Sequence, residues 1–174
     1  RATRAAHVVR DHFGLAAGEH FAMVMGNRVE LIELVTAATL SGTWVTPANW
    51  HLTADELAFI FEDSAARVLF VDPVFEAVAR EAVARTGVAL PVVVVGDELE
   101  QLLAAAAPDP WPLDAPAGGN MFYTSGTTGR PKGVKRAGRA SVGGQLGALA
   151  AAGPVLGLDG GGPHLVTGPL YHAA

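Results

Sequence analysis

Residues 121–136 read Met121-Phe122-Tyr123-Thr124-Ser125-Gly126-Thr127-Thr128-Gly129-Arg130-Pro131-Lys132-Gly133-Val134-Lys135-Arg136. The apolar, aromatic start of this segment predicts a strand, and its last three residues predict a second strand that returns alongside the first. Between the two lie four hydroxyl side chains, three glycines, a proline and two cations. A loop of this composition buries little apolar surface, so we do not expect it to contribute to the hydrophobic core.

The chemistry of the loop suits a polyanion. Glycines let backbone N–H groups turn toward phosphate oxygens, and the hydroxyls donate further hydrogen bonds. Arg130 and Lys132 add positive charge. We therefore predict a loop that holds the phosphates of a nucleotide. The alternative is a solvated linker with incidental charge, which the mixture of Ser, Thr and Lys at this spacing disfavours.

The charge of the chain is uneven. The chain contains 12 Lys and Arg residues and 17 Asp and Glu residues, which gives a net charge of -5. No acidic residue occurs between Ala115 and Leu158, where five cations give +5, so the remainder holds -10. A local positive field in an acidic protein favours a small anion over nucleic acid, which would need a broad basic face.

Two common nucleotide motifs are absent from the sequence. The Walker pattern needs a Gly-Lys pair at the start of a helix, whereas Lys132 stands between Pro131 and Gly133. The G-x-G-x-x-G fingerprint of dinucleotide-binding folds does not follow any predicted strand. Potential metal ligands also lack the usual spacings, so no metal site is expected from protein side chains.

The segment from Tyr123 to Val134 resembles the signature of the AMP-forming adenylating enzymes. This superfamily includes acyl- and aryl-CoA synthetases, luciferases and peptide-synthetase adenylation domains. Resemblance extends over nearly the whole chain from Arg4 onward. Four other segments resemble family motifs: Phe21–Asn27, Leu40–Pro47, Leu52–Leu57 and Gly168–His172.

The resemblance implies particular site residues. Lys132 and His172 would be catalytic, with Lys132 at the departing pyrophosphate and His172 lining the acid pocket. His172 could instead be a hydrogen-bonded core histidine, and Tyr171 either pocket wall or core. Arg130 stands at a variable position of the motif and receives no role. The β- and γ-phosphates would be held by Thr124, Ser125, Gly126, Thr127, Thr128, Gly129 and Lys132. The remaining cations of the segment are expected to be solvated or to steer phosphate: Lys135, Arg136 and Arg139.

The implied activity is that of an ATP-dependent acyl-CoA ligase. Its substrates would be ATP with Mg²⁺, CoA and a carboxylic acid, with a fatty acid expected. The segment Asn49–Thr53 has the Asn-x-x-Leu-Thr form typical of acyl-CoA synthetases. An aryl-CoA ligase and a peptide-synthetase adenylation domain stay open. Two non-catalytic alternatives also remain: a nucleotide-binding module, and a scaffold that a partner chain completes.

Strand and helix patterns alternate along the chain. They predict an α/β fold, a doubly wound and mostly parallel sheet with flanking helices, forming part of the large N-terminal domain of an adenylate-forming enzyme. We expect residues 1–114 to form one subdomain of strand–helix units, and residues 115–174 to form the phosphate-loop segment with the start of a second, incomplete subdomain. The predicted strands are Phe21–Met25, Thr43–Thr46, Arg67–Val71, Leu90–Val95 and Met121–Tyr123; the predicted helices are Glu30–Leu40, Ala54–Glu62, Val74–Arg85 and Asp97–Ala107. Pro47 is expected to end the second strand, and the aliphatic run Leu90–Val95 is typical of a strand buried on both faces of a parallel sheet. Thr53 and Glu56 predict a capping box at the start of Ala54–Glu62.

Family elements expected further along are missing from these 174 residues: a Thr-Glu pair, a ribose-binding Asp, a hinge and a C-terminal Lys. We therefore expect an enzyme fragment that is inactive by itself and needs the C-terminal part of the same enzyme. The first residue, Arg1, fits the interior of a longer chain. There is no cysteine and no convincing membrane span. A cytoplasmic location is expected, and a homodimer is left open.

Overall fold

The computed structural model describes residues 1–124, 130–135, 141–157, 160, 162–163 and 165–172. Helices and strands alternate through most of this part of the chain. In chain order they are α1 Ala2–His7, β1 His20–Val24, α2 Val29–Ser41, β2 Trp44–Ala48, α3 Ala54–Asp63, β3 Ala66–Val71, α4 Glu76–Arg85, β4 Val92–Val94, α5 Asp97–Ala105, β5 Gly119–Thr124, β6 Lys132–Lys135 and α6 Val142–Ala152.

The strands form one six-stranded sheet in the order β4-β3-β1-β2-β5-β6. All neighbouring pairs are parallel except β5 with β6, which is antiparallel. From β1 the chain moves to one side to form β2, then crosses back to place β3 on the other side of β1. This order confirms the predicted α/β, doubly wound and mostly parallel sheet.

Helices cover both faces of the sheet because side chains alternate along each strand. On one face Phe21, Met23 and Phe70 pack in a core with residues of α1, α2 and α5. On the other face Val24 and Leu69 pack in a second core with residues of α3 and α4. The central strand β1 is buried along its whole length, which gives the site a rigid base.

Local sequence signals explain several helix ends. The predicted capping box of α3 is confirmed: the Glu56 N–H donates to the Thr53 hydroxyl, and the Thr53 N–H donates to the Glu56 carboxylate. Helix α2 ends at Gly42, whose φ of 73° lies in the left-handed region that favours glycine. Each signal acts within one turn of the helix that it limits.

The approach to β5 passes very close to the turn between α2 and β2. A Cβ atom at Gly118 would lie 1.9 Å from the Thr43 carbonyl oxygen and 2.2 Å from that of Ala38. Gly118 and Gly119 donate their N–H groups to the carbonyls of Thr39 and Thr43. Glycine at 118 therefore permits β5 to pair with β2. The predicted division at residue 114 stays a prediction.

Proline 47 was expected to end β2, and that expectation is wrong. The strand continues to Ala48, with Pro47 opposite Met23 of β1. Pairing with β5 stops at Val45. Beyond Val45 the second edge of β2 requires no ladder hydrogen bonds, so a residue without an N–H group is tolerated.

The aliphatic run Leu90–Val95 was expected to be a strand buried on both faces, which is also wrong. Only Val92–Val94 pair, and the burial of the strand alternates. The reason is the position of β4, which lies at the edge of the described sheet with β3 as its one neighbour there. The helix expected from Val74 begins as a 3₁₀ turn, Pro73–Phe75, before α4.

Two helices, α1 and α6, were not predicted. Helix α1 continues as a π-helical segment, Val8–His12, and buries Ala5, Ala6, Val8 and Val9. No helix in the described part of the chain is long and apolar enough to cross a membrane.

Candidate functional site

The site lies where the parallel strands end. Because β1, β2, β3 and β5 run in the same direction, the residues that follow them meet at one edge of the sheet, where open α/β sheets bind ligands. Asn27 follows β1, Trp50 follows β2, and Asp72 follows β3. The predicted phosphate loop opens directly after Thr124, the last residue of β5.

The segment around the loop is a β-hairpin, as predicted. Thr124 is paired with Lys132, and Tyr123 with Gly133, in an antiparallel register. The two ends of the loop are therefore next to each other at the carboxyl edge of the sheet. The proposed phosphate-binding residues 125–129 lie outside the described residues, as do Arg136 and Arg139.

The described cations of the hairpin have different surroundings. The Lys135 ammonium lies 5.0 Å from the centre of the Trp44 ring, and the Arg130 guanidinium 5.6 Å from that of Phe59. Lys132 is exposed, and no carboxylate of the described residues forms an ion pair with it. Its charge is thus available to an anion at the mouth of the loop.

Helix α3 supports the hairpin from the side. The Tyr123 hydroxyl donates a 2.6 Å hydrogen bond to Asp63, and Phe59, one turn earlier, lies under Arg130. Burial raises the pKa of Tyr123 far above its ordinary value, and the hydrogen bond and negative charge of Asp63 raise it further. Tyr123 therefore acts as a neutral hydrogen-bond donor that fixes β5 against α3.

Behind the hairpin, His20 is buried on β1. Its Nδ1 atom has no hydrogen-bond partner among the described residues, and its ring stacks at 6.3 Å from Trp44. Burial lowers the pKa of His20 to about 4, and the positive charge of Lys135 acts in the same direction. His20 is therefore neutral near pH 7.

A second structure at the carboxyl edge is the turn formed by residues 168–172. The His172 N–H donates to the Pro169 carbonyl at 3.1 Å, which closes the turn. Leu170 packs against the core that contains α2, and the Tyr171 ring meets Trp50 edge-on at 6.4 Å. The His172 side chain is exposed.

The structure thus brings Thr124 and Lys132 into one register pair, and places His172 on a separate turn at the same edge. The assigned roles of these residues stay predictions. Sequence reasoning assigned no site role to Asn27, Trp50 and Asp63, which contact the turn and the hairpin. A signal for Asn27 was present, since Gly26-Asn27 follows almost directly on a buried strand.

The described residues contain no group of three or more His, Asp or Glu side chains that could hold a metal ion. The protein side chains of this region offer hydrogen bonds and cations instead.

Comparison with known proteins gives a consistent result. The model of the family described as AMP-binding enzyme matches residues 1–174. The chain is 36% identical over 128 residues to sulfoacetate–CoA ligase of Cupriavidus necator, covering 70% of this chain and 25% of the relative. It is 35% identical over 127 residues to long-chain-fatty-acid–CoA ligase FadD13 of Mycobacterium tuberculosis, with the same coverage of each chain.

Among solved structures, o-succinylbenzoate CoA synthetase of Bacillus subtilis, in complex with its acyl-adenylate intermediate, matches with a TM-score of 0.67 at 27% identity. That match covers 98% of this chain and 42% of the solved one. The chain therefore spans about a quarter of the length of the two curated relatives and less than half of the solved structure.

Proposed function

The chain belongs to the AMP-binding enzyme family, and we propose on that basis that the protein containing it is an ATP-dependent acid–CoA ligase. A carboxylate oxygen of the acid attacks the α-phosphorus of ATP, and the bond from that phosphorus to the bridging oxygen breaks. Pyrophosphate leaves with that oxygen. The sulfur of CoA then attacks the acyl carbon and displaces AMP. The matching relatives and the phosphate-loop motif support this proposal.

In this proposal Lys132 stabilises the negative charge that develops on the departing pyrophosphate. The observation on which this role depends is the Thr124–Lys132 pair, which places an exposed cation without an ion-pair partner among the described residues at the mouth of the loop. Thr124 and residues 125–129 would donate hydrogen bonds to the β- and γ-phosphates. His172 would line the pocket of the acid.

The test compares the two lysines of the chain in the full-length enzyme. Lys132→Ala should slow acid-dependent ATP–pyrophosphate exchange about 100- to 1000-fold, since removing one charge-stabilising group at a reacting centre has an effect of this order. Thioester formation from added acyl-adenylate should stay nearly intact. Lys135→Ala is the matched control, because this exposed lysine contacts the Trp44 ring, and it should change the exchange only a few-fold.

Equal slowing of both half-reactions by Lys132→Ala would contradict the assigned role. So would equal damage from Lys135→Ala, because the effect would then report the loss of any positive charge on β6.

The acid substrate that we propose is a fatty acid. Support comes from the 35% identity to a long-chain-fatty-acid–CoA ligase and from the contact between the rings of Trp50 and Tyr171, the residue before His172. An aryl acid is the alternative. Parallel assays of pyrophosphate release with sulfoacetate, benzoate and fatty acids of increasing length would distinguish them, and a preference for benzoate would favour the aryl-CoA ligase.

We also propose that the 174 residues alone do not form acyl-adenylate, because they correspond to about a quarter of the matched relatives. Incubation with ATP, Mg²⁺ and fatty acids should release no pyrophosphate above background. Measurable ATP binding without such release would favour a non-catalytic nucleotide-binding module.

A further inference from the structure

Asn27 makes two hydrogen bonds to a distant segment of the chain. Its Nδ2 donates to the Gly168 carbonyl at 2.9 Å, and its Oδ1 accepts from the Leu170 N–H at 2.9 Å. These partners are more than 140 residues away in sequence. The side-chain amide thus bonds a carbonyl and an N–H two residues apart, which is the pattern that a neighbouring strand would offer.

The bonded segment is the turn that presents Tyr171 and His172. The other contacts of this turn are made by its side chains: Leu170 packs on the core, and the Tyr171 ring contacts Trp50. Asn27 alone, among the described side chains, binds the backbone of this turn. Because both bonds lie immediately before Tyr171, they set the position of the backbone from which the His172 ring projects.

The position of Asn27 is in turn fixed by the sheet. It lies three residues beyond the last residue of β1, the buried central strand. Arg28, the next residue, is bonded to Glu30 and paired with Asp72 at the end of β3. The side chain of Asn27 therefore extends from a well-held backbone toward a turn that has few other attachments.

We propose that Asn27 is a positioning residue for the acid subsite: it holds residues 168–172 so that His172 and Tyr171 face the carboxylic acid. The inference rests on the proposed ligase function for its kinetic consequence. Its structural part, that the Asn27 amide restrains the turn, stands on the hydrogen bonds alone.

The kinetic test uses full-length enzyme variants. Asn27→Ala should raise KM for the acid about tenfold, because the turn loses two hydrogen bonds, whereas KM for ATP should change less than about twofold. Asn27→Asp keeps the shape and the acceptor for Leu170 but places an oxygen against the Gly168 carbonyl, so it should not restore the acid KM. A merely destabilising change would alter both constants together.

A matched control is Glu98→Ala. The Glu98 carboxylate accepts a hydrogen bond from the Val94 N–H at 2.8 Å, also at the carboxyl edge but on the outermost strand β4. Its removal deletes a side-chain-to-backbone bond far from the turn. We expect both KM values to stay within about twofold of the wild type.

Amide hydrogen exchange on the same full-length variants separates the inference from the proposed function. Asn27→Ala should speed exchange in the peptide that contains the Leu170 and His172 amides, and Glu98→Ala should not. Unchanged exchange in that peptide would overturn the inference, as would equal effects on the two KM values in an active enzyme. Faster exchange in an enzyme that activates no carboxylic acid would support the restraint and refute the ligase.

Discussion

Tyr123 connects the β5–β6 hairpin to α3 through the hydrogen bond of its hydroxyl to Asp63. Tyr123→Phe keeps the ring and removes this bond, so we expect the free energy of unfolding to fall by about 1 kcal/mol. Denaturant unfolding of the chain would measure the loss. Asp63→Asn, which keeps an acceptor for the hydroxyl, serves as the control and should cost less than the Phe variant.

The raised pKa of Tyr123 predicts a pH dependence as well. The unfolded chain ionises this group near its ordinary pKa of 10, while the folded chain keeps it protonated. The contribution to stability is therefore fully present below pH 10 and is lost as the pH rises above it. Wild type should lose stability above pH 10 more steeply than Tyr123→Phe, and parallel curves would contradict the assignment.

The lowered pKa of His20 predicts a loss of stability at acid pH instead of at alkaline pH. Its pKa falls from an ordinary 6.5 to about 4 in the folded chain. Between these values the unfolded state binds a proton that the native state does not, so stability is full above 6.5 and falls as the pH drops toward 4. The unfolding free energy of His20→Leu, relative to wild type, should rise on moving from about pH 7 to about pH 5. A constant difference would show that His20 titrates alike in both states.

At the level of elements, α3 connects the core to the site. The helix begins with the Thr53–Glu56 capping box, and its second half presents Phe59 and Asp63 to the hairpin. The stability of the helix and the support of the loop therefore depend on each other.

Thr53→Ala removes the cap and should lower the unfolding free energy by about 1 kcal/mol. Thr36→Ala is the control, because the hydroxyl of the half-buried Thr36 donates to the Ile32 carbonyl within α2 and caps no helix end. It should change stability by less than about 0.5 kcal/mol. Equal losses from the two threonine variants, measured by chemical denaturation, would show that the cap contributes nothing specific.

Elements set by local chemistry were predictable from the sequence. The capping box of α3 and the strand–loop–strand hairpin depend on residues within one turn or one loop, and both were predicted correctly. The predictions that were wrong concern features that depend on the neighbouring strands of the sheet. The edge position of β4 and the free side of Pro47 depend on which strands lie next to them, which no local pattern records.

For the whole molecule, Arg4 connects α1 to the end of α5, a helix about 100 residues later in the sequence. One guanidinium nitrogen, Nη1, donates to the carbonyls of Leu103, Ala104 and Ala106 at the end of α5. These carbonyls have no partner within their own helix, and the charge of Arg4 also favours the negative end of its dipole.

Arg4→Met keeps an apolar stem and should lower the unfolding free energy by about 1–2 kcal/mol. Arg10→Met is the comparison, since Arg10 donates to a single carbonyl, that of Ser41 at the end of α2. Thermal or denaturant unfolding should show the larger loss for Arg4. A larger loss for Arg10 would indicate that the three bonds of Arg4 are replaced by water at little cost.

The fold class and the location of the loop could be predicted because strand–helix alternation and the glycine-rich motif are patterns of consecutive residues. Contacts between residues that are far apart in the sequence could not be predicted. Arg4 meets its carbonyls about 100 residues away, and Asn27 meets the turn more than 140 residues away. Neither partner is marked by composition or spacing, so both required the three-dimensional structure.

The strand order has a consequence for synthesis on the ribosome. β1, the first of the six described strands in chain order, occupies the middle of the sheet, and each later strand joins an outer border: β2 and β3 on either side of it, β4 beyond β3, then β5 and β6 beyond β2. None of these six strands has to be inserted between two that are already joined. A nascent chain can therefore enlarge this sheet outward as it is translated, without reopening what has formed.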